Sequence, residues 1–163
     1  MICATIEDLA AILPRAGALG GLDLGTRTIG VAVSDGLRHV ASPLTVIRRT
    51  RLGQDAEALA RIAADRALVG WVLGLPRNMD GSEGPRAQST RAFARNLERL
   101  TPLPIAFWDE RLSTVAAERA LLEADTSRSR RAEVIDQVAA GYILQGALDR
   151  LGYLGRAAGG APR

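Results

Sequence analysis

The sequence LGGLDLGTRTIGVAVSD, residues 19–35, sets the architecture around which the rest of the chain is arranged. Its β-branched second half, Ile29 to Val33, is typical of a strand. Gly25 to Thr28 supply the turn that separates this strand from an earlier one. Residues 43–47 (PLTVI) predict a third strand at an edge of the sheet, because proline cannot donate a hydrogen bond within a central strand. Strands joined by tight turns are expected to be antiparallel.

Beyond this region, strands alternate with helices. Short apolar runs predict buried strands over residues 68–75 and 104–108. Apolar residues at helical spacing predict the helices 54–66, 86–100, 113–124 and about 132–150. The segment TSRSRR (126–131) is expected to be a loop. Such alternation implies parallel crossovers, so the sequence predicts an α/β fold with a mixed sheet and helices on both faces.

The length of 163 residues suits one folded domain with small additions at its ends. Residues 5–13 predict a short helix, in which Thr5 and Asp8 have the spacing of a capping box. We therefore divide the chain into an N-terminal helical extension (1–17), a central domain (18–151) and a flexible tail (152–163). No apolar run approaches the ~20 residues that span a membrane, and no signal peptide is recognised. The expectation is a cytoplasmic protein with no membrane partner.

Three acidic residues stand where acids are unusual. Asp23 interrupts an apolar strand between two leucines, Glu110 directly follows a buried strand, and Asp136 lies in an alanine-rich helical stripe. A buried carboxylate needs a partner, commonly a metal ion. Carboxylates suit Mg²⁺ or Mn²⁺, and two such ions ~4 Å apart can promote phosphodiester hydrolysis. The sequence therefore predicts Asp23, Glu110 and Asp136 as a catalytic, metal-binding cluster.

Each acid also has an ordinary structural interpretation. Asp23 could cap the turn that follows it, and Glu110 could form a surface salt bridge beside Asp109 and Arg111. Asp136 could be a border residue paired with an arginine such as Arg131. These alternatives stay open for each residue taken alone.

The basic residues indicate a polyanionic partner. All 21 basic residues are arginines, and arginine can bind phosphate in a bidentate way. The segment 74–86 follows a buried strand and precedes a helix, so Arg77 and Arg86 could bind phosphate there. A second cluster precedes Asp136, and a third consists of residues 48, 49 and 51. The predicted nucleic-acid-binding residues are Arg77, Arg86, Arg128, Arg130 and Arg131.

Four stretches resemble the YqgF family. They are GLDLGTRTIGVAVSD (21–35), GLPRNMDGSEGPRAQ (74–88), WDERLSTVAAERALLEAD (108–125) and EVIDQVAAGYILQGALD (133–149). These RNase H-like proteins are related to RuvC-type Holliday junction resolvases and are described as pre-16S rRNA nucleases. The resemblance implies a five-stranded mixed sheet whose first three strands are antiparallel. It also implies that the three acids occupy the active-site positions of the family.

The resemblance implies a metal-dependent nuclease that processes the 5′ end of pre-16S rRNA during ribosome biogenesis, with Mg²⁺ or Mn²⁺ as cofactor. The expected partner is nucleic acid, either structured RNA or branched DNA. A Holliday junction resolvase and a module that binds nucleic acid without cutting it are the alternatives. The sequence does not decide between a monomer and a homodimer.

Overall fold

The chain is seen in a computed structural model, which describes residues 1–113, 121, 124 and 128–159. The strands are β1 (Ile2–Cys3), β2 (Ala18–Leu24), β3 (Thr28–Ser34), β4 (Ala41–Arg48), β5 (Leu68–Leu75) and β6 (Ile105–Asp109). The helices are α1 (Ile6–Ile12), α2 (Leu52–Asp65), α3 (Pro85–Glu98) and α4 (Arg128–Gly159), with one 3₁₀ turn at Glu110–Leu112.

The sheet has the order β1-β6-β5-β2-β3-β4. Strands β2, β3 and β4 are antiparallel neighbours, whereas β1, β6, β5 and β2 run parallel. The predicted mixed sheet with three antiparallel strands at its start is confirmed. The predicted count of five strands is one short, because the two residues of β1 add a sixth strand beside β6. Pro43 lies in β4, which is an edge strand as predicted.

Two apolar layers cover the two faces of the sheet, and side chains alternate between them along each strand. One layer joins Leu22 and Leu73 of the sheet to α2 and α3. The other joins Leu19 and Val72 to α1 and α4, whose contribution is rich in alanine and leucine. The prediction of helices on both faces is therefore confirmed. We call the second face, which carries α1 and α4, the α4 face.

The last helix is longer than the sequence indicates. Helix α4 begins at Arg128, so the prediction of a loop over 126–131 is wrong for the residues 128–131. It continues through Gly159 and thus includes residues 152–159, which we expected in a flexible tail. Packing of Leu148 and Leu151 in the α4-face layer supports the helix across this boundary. The predicted helix 113–124 falls almost entirely outside the described residues, and the domain division remains a prediction.

The N-terminal segment is built into this fold. The Thr5 hydroxyl caps α1 by accepting a hydrogen bond from the Asp8 amide at 3.1 Å, as the capping-box spacing predicts. Ile6 and Leu9 of α1 are buried in the same layer as α4. No helix within the described ranges combines the length and the apolar character that crossing a membrane requires.

Candidate active site

Asp23 lies in the centre of the sheet, near the carboxyl end of β2. Only 4% of its surface is exposed, so the carboxylate is buried. Its neighbours Leu22 and Leu24 point to the opposite face, into the layer formed with α2 and α3. The Asp23 side chain therefore points to the α4 face, where it interrupts an otherwise apolar surface.

Four glycines surround Asp23 on this face. Gly21 and Gly25 lie two residues before and after it on the same chain segment. Gly30 is its partner across the antiparallel pair with β3. On the other side, Leu22 pairs with Leu73 of β5, so Gly74 lies beside Asp23. These residues leave room around the buried carboxylate that larger side chains would fill. We call Gly21, Gly25, Gly30 and Gly74 the glycine frame.

Glu110 reaches the same region from β6. It is the first residue of the 3₁₀ turn after β6 and is 8% exposed, which excludes the surface position considered for it. Its Oε1 atom lies 3.0 Å from where a Cβ on Gly74 would stand. Because Gly74 lies beside Asp23, two buried carboxylates share this part of the sheet. The absence of a side chain on Gly74 leaves room for the Glu110 carboxylate over β5.

Asp136 lies on α4, over the glycine frame. It is among the first residues of this helix whose side chains the structure describes. A Cβ on Gly30 would stand 1.9 Å from the Asp136 carbonyl oxygen, so α4 lies directly on β3 at this point. The Asp136 Oδ2 atom lies 3.6 Å from the corresponding position on Gly25. This oxygen accepts a hydrogen bond from the Thr28 hydroxyl. Within the described residues Thr28 is the partner of Asp136, and the bond fixes the direction of its carboxylate. The side chain of Arg131, the alternative partner, lies outside the described part.

The three acids therefore lie on one face, around one set of glycines. Carboxylate oxygens are the donors that Mg²⁺ and Mn²⁺ prefer, so the chemistry of the donor set fits these ions. Across residues 1–113 and the described part of α4, no group of three or more His, Cys, Asp or Glu side chains is arranged to hold a metal ion. The Asp136 carboxylate is engaged by Thr28.

The predicted phosphate-binding arginines differ in their surroundings. Arg77 contacts Glu83 at 3.2 Å and Asp109 at 3.8 Å. Arg86 lies in the first turn of α3, is exposed, and forms no ion pair with any acid in the described ranges. The backbone of Arg128, Arg130 and Arg131 is helical, and their side chains lie outside the part that the structure describes. The structure thus leaves Arg86 more available to an external anion than Arg77.

An ion-pair network stands beside the buried acids. The Arg91 guanidinium donates two hydrogen bonds to Glu83, at 2.5 and 2.8 Å, and these bonds lower the pKa of Glu83. Burial of the Asp109 carboxyl raises its pKa, but hydrogen bonds from the Arg111 guanidinium and amide outweigh burial and leave that pKa lowered. Asp109, rather than Glu110, is therefore the ion-pair partner of Arg111.

The Glu83 pairing predicts a pH dependence of stability. Because its pKa is lower in the folded chain, Glu83 stabilises the fold above its ordinary value of 4.5 and loses this effect as pH falls through the folded value. Between about pH 6 and pH 3, we expect the urea concentration at half-unfolding to fall less for Glu83→Gln than for the wild type. Glu57→Gln, the same chemical change at an exposed position on α2, is the control. An equal loss of slope in both variants would contradict the assignment.

Comparison with known proteins places the chain among its relatives. A family model described as "RuvX: Holliday junction resolvase" matches residues 17–150. The chain belongs to the RuvX family. This confirms the resemblance that its four motifs indicate. The match includes β2 to β6 and the part of α4 that carries Asp136.

Close relatives of this RuvX-family chain are bacterial. A protein of Paracoccus denitrificans named "Putative pre-16S rRNA nuclease" is 83% identical over 156 residues, covering 96% of this chain and 99% of that protein. One of Rhodobacter capsulatus with the same name is 72% identical over 159 residues, covering 98% and 100%. The structure titled "T. thermophilus RuvC in complex with Holliday junction substrate" aligns with a TM-score of 0.52 at 12% identity, covering 83% of this chain and 96% of that one. At this identity the likeness shows the RuvC-like fold.

The sequence assigns no role to several residues of the candidate site. It indicates Thr28 only as part of a turn and gives no function to Gly30 or Gly74. A glycine inside a strand signals a close approach of another backbone, so Gly30 within TIGVAV carried a usable signal. The partner of that approach, Asp136, lies 106 residues away and could not be read from the local sequence.

Proposed function

We propose that this chain is a metal-dependent nuclease that hydrolyses phosphodiester bonds in nucleic acid. The observation that carries the proposal is the burial of Asp23 within the glycine frame, with Glu110 over Gly74 and Asp136 over Gly25 and Gly30. Membership of the RuvX family and the names of the close relatives support it. We further propose that the substrate is pre-16S rRNA, processed at its 5′ end in the cytoplasm during ribosome biogenesis.

Asp23, Glu110 and Asp136 would close around the metal, either Mg²⁺ or Mn²⁺, because in this structure they share one face without being arranged as a three-ligand site. When bound, a pair of such ions supplies an activated water and stabilises the leaving oxygen. Asp23 and Glu110 provide buried carboxylates whose orientation is set by β2 and by the turn after β6. Thr28 orients the Asp136 carboxylate by donating to its Oδ2 atom. The surrounding helices and strands exclude bulk water from Asp23, which strengthens its interaction with a cation.

Arginines would hold the nucleic acid near these acids. Arg86 at the start of α3 is exposed, and Arg128, Arg130 and Arg131 begin the helix that carries Asp136. Arg77 contributes positive charge beside them while it remains paired with Glu83. Guanidinium groups bind phosphate oxygens in a bidentate way, so these residues would position a strand by its backbone.

Resolution of four-way DNA junctions is the second candidate function, because the description of the matching family names a Holliday junction resolvase. A resolvase must cut two strands symmetrically and so needs a homodimer, whereas an rRNA nuclease can act as a monomer. Symmetric paired nicks are therefore the product that distinguishes the two functions.

A side-by-side cleavage assay tests the proposal. The purified chain is given a pre-16S 5′-leader RNA and a four-way DNA junction, each with Mg²⁺, Mn²⁺ or EDTA. We expect metal-dependent cleavage of the RNA alone. Symmetric nicks in the junction would favour the resolvase. Binding of both substrates without cleavage in any metal would contradict the nuclease proposal and favour a binding module.

Thr28→Val should weaken the use of metal without unfolding the chain. Valine keeps the shape of threonine but cannot donate to Asp136, so the third carboxylate loses its orientation. Losing a group that orients a metal ligand costs roughly 10- to 100-fold in metal affinity or activity. We expect the Mn²⁺ concentration for half-maximal cleavage to rise by about tenfold.

Thr28→Ser is the matched variant for this experiment, since it keeps the hydroxyl and should restore most of the wild-type metal dependence. If Thr28→Val cleaves RNA at the same Mn²⁺ concentrations as the wild type, the hydroxyl does not position Asp136 for this reaction.

A further inference from the structure

A second concave surface lies beside the acids, on the other side of the β2–β3 turn. It is a cleft of about 360 Å³ between that turn and the start of α3. Gly25 and Thr26 form one wall, and Arg86 and Ser89 form the other, with Arg49 beside them. Gly25 belongs to both places, because it also borders the Asp136 carboxylate. The cleft is therefore next to the candidate active site and separated from it by one glycine.

The walls of this cleft are positively charged. Arg49 and Arg86 both line it, and no acidic residue does among the residues that the structure describes. The Arg49 guanidinium donates to the Gly25 carbonyl at 2.8 Å and lies 5.6 Å from the centre of the Phe93 ring. These contacts hold the cation in place without neutralising it. Arg86 is exposed and can move onto a ligand.

The arginines of this cleft differ from those on the opposite side of the site in whether they form ion pairs. There, Arg77 and Arg91 pair with Glu83, and Arg111 pairs with Asp109. Of the two arginines that line the cleft, neither Arg49 nor Arg86 takes part in an ion pair among the described residues. Two guanidinium groups without an acidic partner raise the attraction of this surface for an external anion.

Two hydroxyl groups complete the donors of the cleft. Thr26 and Ser89 are exposed, and within the described residues neither hydroxyl takes part in a hydrogen bond, whereas the Thr90 hydroxyl already donates to the Arg86 carbonyl. Guanidinium and hydroxyl groups are donors that bind phosphate oxygens. Gly25 has no side chain, and the position of its missing Cβ lies 3.6 Å from the Asp136 Oδ2 atom, so only this backbone separates the cleft from that acid.

We propose that this cleft binds one backbone phosphate of the nucleic acid strand, beside the phosphodiester that is cut near Asp23. The proposal rests on the proposed nuclease function and adds Arg49, Thr26 and Ser89 to the residues that hold the strand. It also gives the strand a path, from the start of α3 across Gly25 to the acids.

The test measures binding of the pre-16S leader RNA in EDTA, where cleavage does not interfere, over a range of NaCl concentrations. The variants are Arg86→Gln and the double variant Arg49→Gln/Arg86→Gln. Arg99→Gln is the control, because it follows the same helix at the opposite end, about 20 Å away. We expect the double variant to raise Kd by about tenfold, with a salt slope smaller by roughly one phosphate contact. Urea unfolding establishes that each variant is folded.

A second measurement locates the phosphate. Each phosphate around the cleavage position is replaced in turn by a neutral methylphosphonate. At one position the replacement should raise Kd for the wild type but leave Kd for the double variant unchanged. The double variant has already lost the arginines that bind that phosphate.

The outcomes separate this inference from the proposed function. If the double variant binds like Arg99→Gln, or if no single position shows the coupling, the cleft does not hold a defined phosphate, while metal-dependent cleavage still stands. If the coupling is found but the wild type never cuts, the cleft is confirmed and the nuclease is not. Failure of the wild type to bind RNA or branched DNA overturns both.

Discussion

We expect Asp23→Asn to lose at least about a hundredfold of metal-dependent cleavage while the chain remains folded and still binds nucleic acid. Asparagine has nearly the shape of aspartate, so the packing of β2 against α4 can persist. It carries no negative charge, so it cannot attract a divalent cation or balance the charge of one. Replacing a residue that only orients a metal ligand costs roughly 10- to 100-fold in metal affinity or activity. Losing a ligand itself should cost more. Cleavage rates with saturating Mn²⁺ and Kd for the uncut RNA in EDTA measure the two effects separately.

Asp65→Asn is the control for this substitution. Asp65 is the last residue of α2, is exposed, and belongs to the helix layer on the face opposite to the acids. The same chemical change there should leave cleavage unaltered. If Asp23→Asn cuts RNA at the wild-type rate, Asp23 has no part in the reaction. If it fails to bind RNA as well, its role is structural.

The strands of the fold could be predicted wherever local residues set them. The run Leu68–Leu75 is a strand over the residues predicted, because a continuous apolar run of that length is buried on both faces. Strand β1 could not be found in this way. Its two residues have no periodicity, and they form a strand only because Ile2 and Cys3 pair with Ile105 and Ala106, far along the chain. Local patterns do not contain such pairings.

The ends of α4 show a related limit. The segment TSRSRR has no apolar residue from which a helical period could be counted, so the sequence favoured a loop there. After Leu151 the glycines Gly152, Gly155 and Gly159 lower helix propensity and suggested an early end. Helix α4 nevertheless runs through to Gly159. Packing of Leu148 and Leu151 in the α4-face layer supports the helix up to the first of these glycines.

The acids of the candidate site were easier to predict than their surroundings. Asp23 stood out because a charged residue between two leucines is costly unless it has a partner. The importance of Gly30 and Gly74 depends on strand register and on where α4 crosses the sheet, and neither can be read from one segment. The sequence thus indicates which residues could do the chemistry, whereas the structure shows what makes room for them.

Gly30→Ala should destabilise the fold more than alanine at Gly74 or Gly53. The new Cβ would stand 1.9 Å from the carbonyl oxygen of Asp136 and 2.4 Å from its carbonyl carbon. Both atoms are backbone, so α4 itself would have to move away from β3. Overpacking of a core costs about 1–3 kcal/mol, and a collision with backbone belongs at the upper end. We expect the free energy of unfolding to fall by about 3 kcal/mol in urea titrations.

Two further alanine substitutions make this expectation specific. At Gly74 the nearest atom, 2.4 Å away, is the terminal carbon of the Ile143 side chain, which can rotate, so Gly74→Ala should cost about 1 kcal/mol. At Gly53, in the first turn of α2, nothing lies within 4 Å, and alanine should stabilise the helix by up to about 1 kcal/mol. Alanine should therefore be most destabilising at Gly30, less so at Gly74, and stabilising at Gly53. A Gly30→Ala variant as stable as Gly53→Ala would show that α4 does not rest on β3 at Asp136, and Asp136 would then lose its position over the glycine frame.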